Sequence, residues 1–173
     1  MTTNRSADPD SVILDRETRS VTFQRVFAAP RPTVFAAWSS CEQLARWWGP
    51  TDWSLPVCRQ EFRPGGSWLY GMQGPAGDPR WGDVVSYGLG VYETIEEPER
   101  ITYRDHFADA DGNPLPDMPV MTIDVRFEDL GEATRLISTT TFASVEDFDR
   151  TAEMGMVEGM QQTFDRLDHV LTA

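Results

Sequence analysis

The sequence predicts an α+β fold in which a curved antiparallel sheet wraps round a long C-terminal helix. Three observations lead to this prediction. Residues 145–173 carry apolar side chains at steps of three and four without a proline, which is typical of an amphipathic helix. Six segments between residues 53 and 143 show the two-residue periodicity of strands. The connections between these segments are short, so consecutive strands are expected to pair as an antiparallel meander.

At the N-terminus, residues 1–19 are expected to form a flexible tail. Residues 1–11 are rich in Thr, Asn, Ser, Asp and Pro, a composition that favours disorder at a terminus. A short strand at residues 12–14 is the one element expected within this tail. The remaining chain, residues 20–173, is predicted to fold as a single domain.

The domain is expected to open with a strand at residues 21–27, followed by two short helices. Pro32 suits the first turn of the first helix, because its fixed φ angle fits that position. The second helix is predicted to start at Ser40 and to end at the Gly-Pro pair of residues 49–50. The apolar side chains of the two helices are Val34, Phe35, Trp38, Leu44, Trp47 and Trp48.

The periodicity then changes to two, and turn residues divide the chain into strands. The connections include Arg-Pro-Gly-Gly at residues 63–66 and Asp-Leu-Gly-Glu at residues 129–132. Strands are predicted at residues 53–62, 66–73, 84–96, 100–108, 119–128 and 133–143.

The C-terminal helix is predicted to run without a break for about seven turns. A lone helix is only marginally stable in water, so its apolar face needs a large apolar surface to pack on. The preceding strands can supply that surface. The predicted apolar face consists of Met154, Val157, Met160, Phe164, Leu167 and Leu171.

The composition excludes several classes of function. The formal net charge of −13 repels phosphate backbones and anionic lipids, so neither nucleic acid nor membrane is an expected partner. The sequence contains no lysine, and Schiff-base enzymes, pyridoxal-phosphate enzymes and Walker A nucleotide sites all need one. No cofactor is therefore expected.

Metal-ligating residues are also scarce. The two histidines are too few for a His-rich metal site, and Cys41 and Cys58 lack the spacing of zinc ligands. The two cysteines are expected to be reduced thiols. No apolar run approaches 18 residues and no secretory signal pattern is visible, so a cytoplasmic location is expected.

Several motifs, taken in order, resemble a known family. The chain is similar to the family named for the activator of the ninety-kilodalton heat-shock chaperone ATPase, within the START-like or SRPBCC superfamily. The resemblance runs from about residue 20 to the end and implies a helix-grip fold. The superfamily hosts carriers, cyclases and co-chaperones, so the fold alone does not define a function. The motifs lie at residues 27–30, 34–38, 45–50, 63–72, 90–103 and 158–167.

The expected function is the binding of a small hydrophobic or aromatic molecule between sheet and helix. A sheet curled round a helix often encloses a cavity, and ligand cavities are mainly apolar with a few polar groups. The alternative interpretation is that the same side chains form a packed core. The candidate ligand-binding residues are Trp38, Trp47, Trp68, Tyr70, Met72, Tyr92, Tyr103, Asp105, Met121, Met156 and Met160.

Asp105 departs from the family pattern, which commonly has an aromatic residue, often tryptophan, two positions after that of Tyr103. Strand alternation places Asp105 on the inner face with Tyr103, unless the strand ends or bulges before it. If Ile95 pairs with Ile101, then Glu93 faces Tyr103 and shares that face. Glu93 and Asp105 are thus candidates for acid–base catalysis; in the alternative, Glu93 points to solvent.

Two other functions stay open at this point. The resemblance suggests a co-chaperone interaction with the heat-shock ATPase, although it covers only the helix-grip domain and not the added N-terminal domain of the eukaryotic activators. A cyclase or hydrolase that uses the two carboxylates is the third hypothesis. We favour a binding protein over an enzyme. A homodimer is a further possibility, because some members of the family form dimers.

Overall fold

A computed structural model describes residues 10–173 as eight strands and four helices. The elements, in chain order, are β1 (Ser11–Asp15), β2 (Ser20–Phe27), α1 (Arg31–Ala36), α2 (Cys41–Leu44), β3 (Ser54–Gln60), β4 (Ser67–Gln73), β5 (Val85–Glu96), β6 (Arg100–Ala108), β7 (Val120–Asp129), β8 (Thr134–Phe142), α3 (Val145–Glu153) and α4 (Met156–Thr172).

The strands form one antiparallel sheet in the order β1-β2-β8-β7-β6-β5-β4-β3. The run from β3 to β8 is the predicted meander, because each strand pairs with its neighbour in the chain. β2 then pairs with β8, which joins the N-terminal strands to the end of the meander. The α+β helix-grip prediction is confirmed, and each of the six strands expected from residue 53 onward lies within two residues of its predicted bounds.

The N-terminal strand β1 is longer than expected and belongs to the sheet. Residues 11–15 pair with residues 20–24 of β2. The turn between them is held by Asp15, whose carboxylate accepts hydrogen bonds from the backbone N–H groups of Glu17 and Thr18. The domain thus begins before residue 20, and of the expected tail only residues 1–9 lie outside the described residues.

The C-terminal helix is not continuous, so the prediction of one unbroken helix was wrong. α3 ends at Glu153 and α4 starts at Met156. Between them Gly155 has φ +83°, a left-handed conformation that is readily available only to glycine. Met154, predicted on the buried face, is 56% exposed because it caps α3 at this break.

α4 packs on the sheet through its apolar face. Phe164 and Leu167 are buried, as predicted. The ring of Phe164 meets Phe23 and Phe27 of β2 edge-to-face, with ring centroids 5.7 and 6.4 Å apart. Such aromatic pairs add stability beyond the apolar area that they bury. These contacts fix the helix against the β2 end of the sheet.

The two short helices lie between β2 and β3. Ser40 caps α2, since its side chain accepts a hydrogen bond from the backbone N–H of Gln43 at 3.2 Å. Cys41 at the start of α2 forms a disulfide with Cys58 of β3, with the two Cα atoms 5.8 Å apart. The expectation of reduced thiols was wrong, because the fold brings the two cysteines within disulfide range. The cysteines therefore no longer support a cytoplasmic location.

Candidate ligand-binding cavity between the sheet and the C-terminal helices

A cavity of about 470 Å³ lies between the inner face of the sheet and the helices α3 and α4. The central strands form one wall, and α4 with the α3–α4 junction forms the opposite wall. Alternation along β6 and β7 explains the sheet wall, because every second side chain points inward. Tyr103 and Asp105 of β6 and Met121, Ile123 and Val125 of β7 all line the cavity.

Most of the side chains predicted to bind a ligand line this cavity. The helix contributes two of the predicted methionines, and the sheet and the α1 region contribute the others. The predicted residues in the cavity wall are Trp38, Tyr70, Met72, Tyr103, Asp105, Met121, Met156 and Met160.

Three of the predicted aromatic residues do not line the cavity and pack in the adjoining core. Trp47 is fully buried, and its Nε1 donates a hydrogen bond to the carbonyl of Ala37 at 3.0 Å. Trp68 is also fully buried. The hydroxyl of Tyr92 accepts a hydrogen bond from Gln60 Nε2 at 2.8 Å. In the structure these three side chains belong to the packed core and not to the cavity wall.

Loop residues also line the cavity and form the group that we call its mouth; of its tryptophans, periodicity predicted only Trp48. Trp48 and Trp53 lie between α2 and β3, and Trp81 lies between β4 and β5. The rings of Trp53 and Trp81 are 5.8 Å apart, and the guanidinium of Arg80 lies 4.7 Å from the ring centre of Trp81. Trp48 and Trp81 are each followed by a glycine, whereas the sequence next to Trp53 gave no signal for its place in this group.

The loop at the mouth is fastened to α4. Arg166 of α4 donates hydrogen bonds from Nη1 to the carbonyls of Gly49 at 2.9 Å, and of Pro50 and Trp53 at 3.2 Å. Burial lowers the pKa of Arg166, which nevertheless stays a strong base. The Cys41–Cys58 disulfide joins α2 to β3, the two elements that flank this loop. The mouth is thus held by both covalent and hydrogen-bonded contacts.

Asp105 projects from β6 into the cavity and is 6% exposed. The hydroxyl of Tyr70 on β4 donates to its carboxylate, at 2.9 Å from Oδ1 and 2.8 Å from Oδ2. Burial raises the pKa of Asp105 to about 7, against a smaller lowering by the Tyr70 hydrogen bond. Burial also raises the pKa of Tyr70 well above its ordinary value, with the nearby Asp105 charge adding to the effect. The strand neither ends nor bulges before Asp105, so its inward placement is confirmed.

Glu93 does not join Asp105 in the cavity. Ile95 pairs with Ile101 as expected, but the register shifts by one residue between Thr94 and Tyr92, so that Tyr92 lies opposite Tyr103. A bulge of this kind re-aims the extra side chain. Glu93 is exposed and its Oε1 forms an ion pair with Arg104 Nε at 2.8 Å. The prediction that Glu93 shares a face with Tyr103 and Asp105 was wrong.

Two further polar atoms occur on residues of the cavity wall. Trp48 Nε1 and Thr151 Oγ1 are buried and have no hydrogen-bond partner among the described residues. A buried polar group without a partner is costly, so a ligand that reaches one of them gains a hydrogen bond.

A second depression of about 580 Å³ lies where β1 and β2 meet α4. Its charged groups already satisfy one another, since Arg25 pairs with Asp165 at 2.9 Å and with Asp10 at 3.6 Å. We therefore assign the candidate site to the sheet–helix cavity.

Within residues 10–173, no group of three or more His, Cys, Asp or Glu side chains is arranged to hold a metal ion. No helix in this range has the length and apolar character needed to cross a membrane.

A helix packed on a curved antiparallel sheet, with a cavity between them, defines the helix-grip class of domain. The chain belongs to the family described as activator of Hsp90 ATPase homolog 1-like protein, whose model matches residues 28–172. Membership supports a domain of the ligand-binding type. A comparison with functionally curated proteins found no match.

Solved structures of similar proteins show the same fold. The crystal structure of protein Ms6760 from Mycobacterium smegmatis is 32% identical, with a TM-score of 0.84, and the match covers 94% of this chain and 96% of that one. A protein from Arthrobacter aurescens, solved by NMR, is 35% identical with a TM-score of 0.84, covering 95% and 92%. A protein from Staphylococcus epidermidis is 29% identical with a TM-score of 0.76, covering 92% and 93%.

Proposed function

We propose that this protein binds a small hydrophobic or aromatic molecule in the cavity between the sheet and α3–α4. The observation that carries the proposal is the cavity itself. Its volume of about 470 Å³ falls within the roughly 300–1,000 Å³ of small-molecule sites, and its wall is mainly apolar with few polar groups. Met121, Met156 and Met160 supply flexible thioether side chains that adapt to ligands of different shape.

The expected affinity is modest. A drug-sized ligand gains about 0.3 kcal/mol per non-hydrogen atom, so an aromatic probe with about 17 such atoms gains about 5 kcal/mol. This free energy corresponds to a Kd of roughly 0.2 mM. Tighter binding requires that the ligand also engages a polar group of the wall.

The test is a fluorescence titration with N-phenylnaphthylamine, an uncharged probe whose emission rises in apolar surroundings. Met121→Trp places a larger ring in the cavity from β7 and is expected to weaken probe binding, because the ring takes part of the space that the ligand needs. Val120→Trp is the matched control, since the neighbouring side chain is exposed and does not line the cavity. Circular dichroism shows whether each variant is folded.

We expect saturable binding to the wild type and to Val120→Trp, and clearly weaker binding to folded Met121→Trp. Absence of saturable binding to the wild type, or equal binding to all three proteins, would contradict it. The latter result would show that the probe binds elsewhere on the surface.

The other two hypotheses draw no support from the site. A mechanism that needs Glu93 and Asp105 as a pair lacks the geometry, because Glu93 is exposed and bonded to Arg104 while Asp105 is buried. A co-chaperone interaction rests on the family description alone. A binding assay with the chaperone, and its ATPase rate with and without this protein, tests that hypothesis.

A further inference from the structure

The cavity contains a charged side chain of unusual placement. Among the described residues, Asp105 is the one charged side chain in the buried set. Transfer of a carboxylate from water to apolar surroundings is strongly unfavourable unless the charge is paired. The groups around Asp105 therefore decide what its presence implies.

The protein satisfies only part of the hydrogen-bonding capacity of Asp105. An ionised carboxylate has about four acceptor positions. Tyr70 supplies one hydroxyl proton, which lies between the two carboxylate oxygens. No other described side chain donates a hydrogen bond to this carboxylate. Acceptor positions remain for a group that enters the cavity.

Among residues 10–173, no cation neutralises Asp105. Arg104, its neighbour on β6, points to the opposite face and pairs with Glu93. Arg80 lines the cavity mouth, where its guanidinium lies over the ring of Trp81. Within residues 10–173, neither arginine nor histidine forms an ion pair with Asp105.

The surroundings favour a cation from outside. The aromatic side chains of Trp48, Tyr70 and Tyr103 line the cavity, and aromatic faces attract cations. Glu153 adds a carboxylate to the wall at the end of α3. The net charge of −13 further concentrates cations near the protein.

We propose that the ligand is an amine or amidine on an apolar, aromatic body, and that its cationic nitrogen pairs with Asp105. This inference rests on the proposed function and specifies the chemical class of the ligand. The nitrogen takes the free acceptor positions of the carboxylate, and the apolar body lies against the methionines of β7 and α4. Neutral hydrocarbons of the same size bind more weakly because they leave the carboxylate unpaired.

The pH dependence follows from the groups that face Asp105 from each element. Tyr70 of β4, Tyr92 of β5 and Tyr103 of β6 all have a raised pKa and are neutral at pH 7, because burial disfavours the phenolate. Glu153 of α3 and Arg80 line the same cavity. Asp105, with a pKa of about 7, is the group that titrates. The affinity for an amine that stays protonated in this range therefore rises as pH increases through 7.

The experiment is competition against N-phenylnaphthylamine with three naphthalenes that differ only in one substituent: naphthylmethylamine, naphthylmethanol and naphthoate. It uses the wild type, Asp105→Asn and Glu93→Gln. Glu93→Gln is the control, because it also removes one negative charge, but from the exposed face of the sheet. In the wild type at about pH 8, the amine is expected to bind about tenfold more tightly than the alcohol, and naphthoate most weakly. The preference disappears in Asp105→Asn and persists in Glu93→Gln.

Equal affinity for the amine and the alcohol in the wild type, or an amine preference that survives in folded Asp105→Asn, overturns the inference. Both results leave the proposed function intact, because the cavity still binds apolar molecules. Failure of the uncharged probe itself to bind refutes the proposed function as well. If Asp105→Asn does not fold, the amine affinity of the wild type is measured as a function of pH. An affinity that stays flat or falls as pH rises through 7 overturns the inference.

Discussion

Replacement of Asp105 by asparagine should stabilise the ligand-free protein at neutral and alkaline pH. Asparagine has nearly the same shape and its side-chain carbonyl still accepts the hydrogen bond from Tyr70. The substitution removes the cost of holding an ionised carboxylate in the cavity. The expected sign is unusual, since most substitutions of buried residues destabilise a protein.

The magnitude follows from the raised pKa. In the folded protein the pKa of Asp105 is about 7, against an ordinary value of 3.8. Each pKa unit corresponds to about 1.36 kcal/mol, so ionisation of the folded state costs about 4 kcal/mol relative to the unfolded state. Between these two pKa values the folded state binds more protons, and stability falls as pH rises. Asp105→Asn is therefore more stable than the wild type by up to about 4 kcal/mol above pH 7, and the difference vanishes near pH 4.

Urea denaturation of both proteins at a series of pH values from about 5 to 8 measures this difference. Comparison of variant and wild type at each pH cancels the contribution to stability of the groups that titrate equally in both proteins. Glu93→Gln provides the control, because an exposed ion pair contributes no more than about 1 kcal/mol. A variant less stable than the wild type at pH 8, or a difference that does not change with pH, would refute the account of Asp105 as an unpaired buried acid.

Three further predictions concern the structure around the cavity. Cys41→Ser with Cys58→Ser opens a disulfide with a sequence separation of 17 and lowers the free energy of unfolding by about 3 kcal/mol, and a thiol assay of the unreduced wild type detects no free thiol. Gly88→Ala drives a Cβ into the Tyr70 ring, so urea denaturation shows a free energy of unfolding lower by roughly 1–3 kcal/mol. Arg166→Met removes three hydrogen bonds to the mouth loop and speeds amide hydrogen exchange at residues 49–53.

The strands were predictable because their signals are local. Along β7 the inward side chains Met121, Ile123 and Val125 alternate with polar residues, and alternation of this kind needs no knowledge of the rest of the fold. The glycine and proline residues in the turns mark the ends of the strands, and this signal is local too. The inward placement of Asp105 followed from the same alternation.

The errors arose where long-range contacts decide the local structure. Gly155 is compatible with both a helix and a break, and the break depends on how α3 and α4 each pack on the sheet. The predicted orientation of Glu93 was wrong because one extra residue in β5 shifts the strand register. The disulfide was missed because Cys41 and Cys58 become neighbours only through tertiary structure.

The candidate site was predictable in its walls and not at its mouth. Wall residues such as Tyr103 and Met160 lie on a strand and a helix, so the sequence periodicity predicts which way their side chains point. Trp47 belongs to the same apolar pattern but packs in the core, because periodicity does not distinguish a cavity wall from a filled interior. Trp53 and Trp81 lie on loops, and their pairing at the mouth depends on how two separate loops meet.

The most direct test of the account is a crystal structure of the protein with bound naphthylmethylamine. We expect the naphthalene to lie between Met121 of β7 and Met160 of α4, with the amine nitrogen at hydrogen-bonding distance from the Asp105 carboxylate. A naphthalene bound on the outer face of the sheet, with the cavity unoccupied, would contradict it.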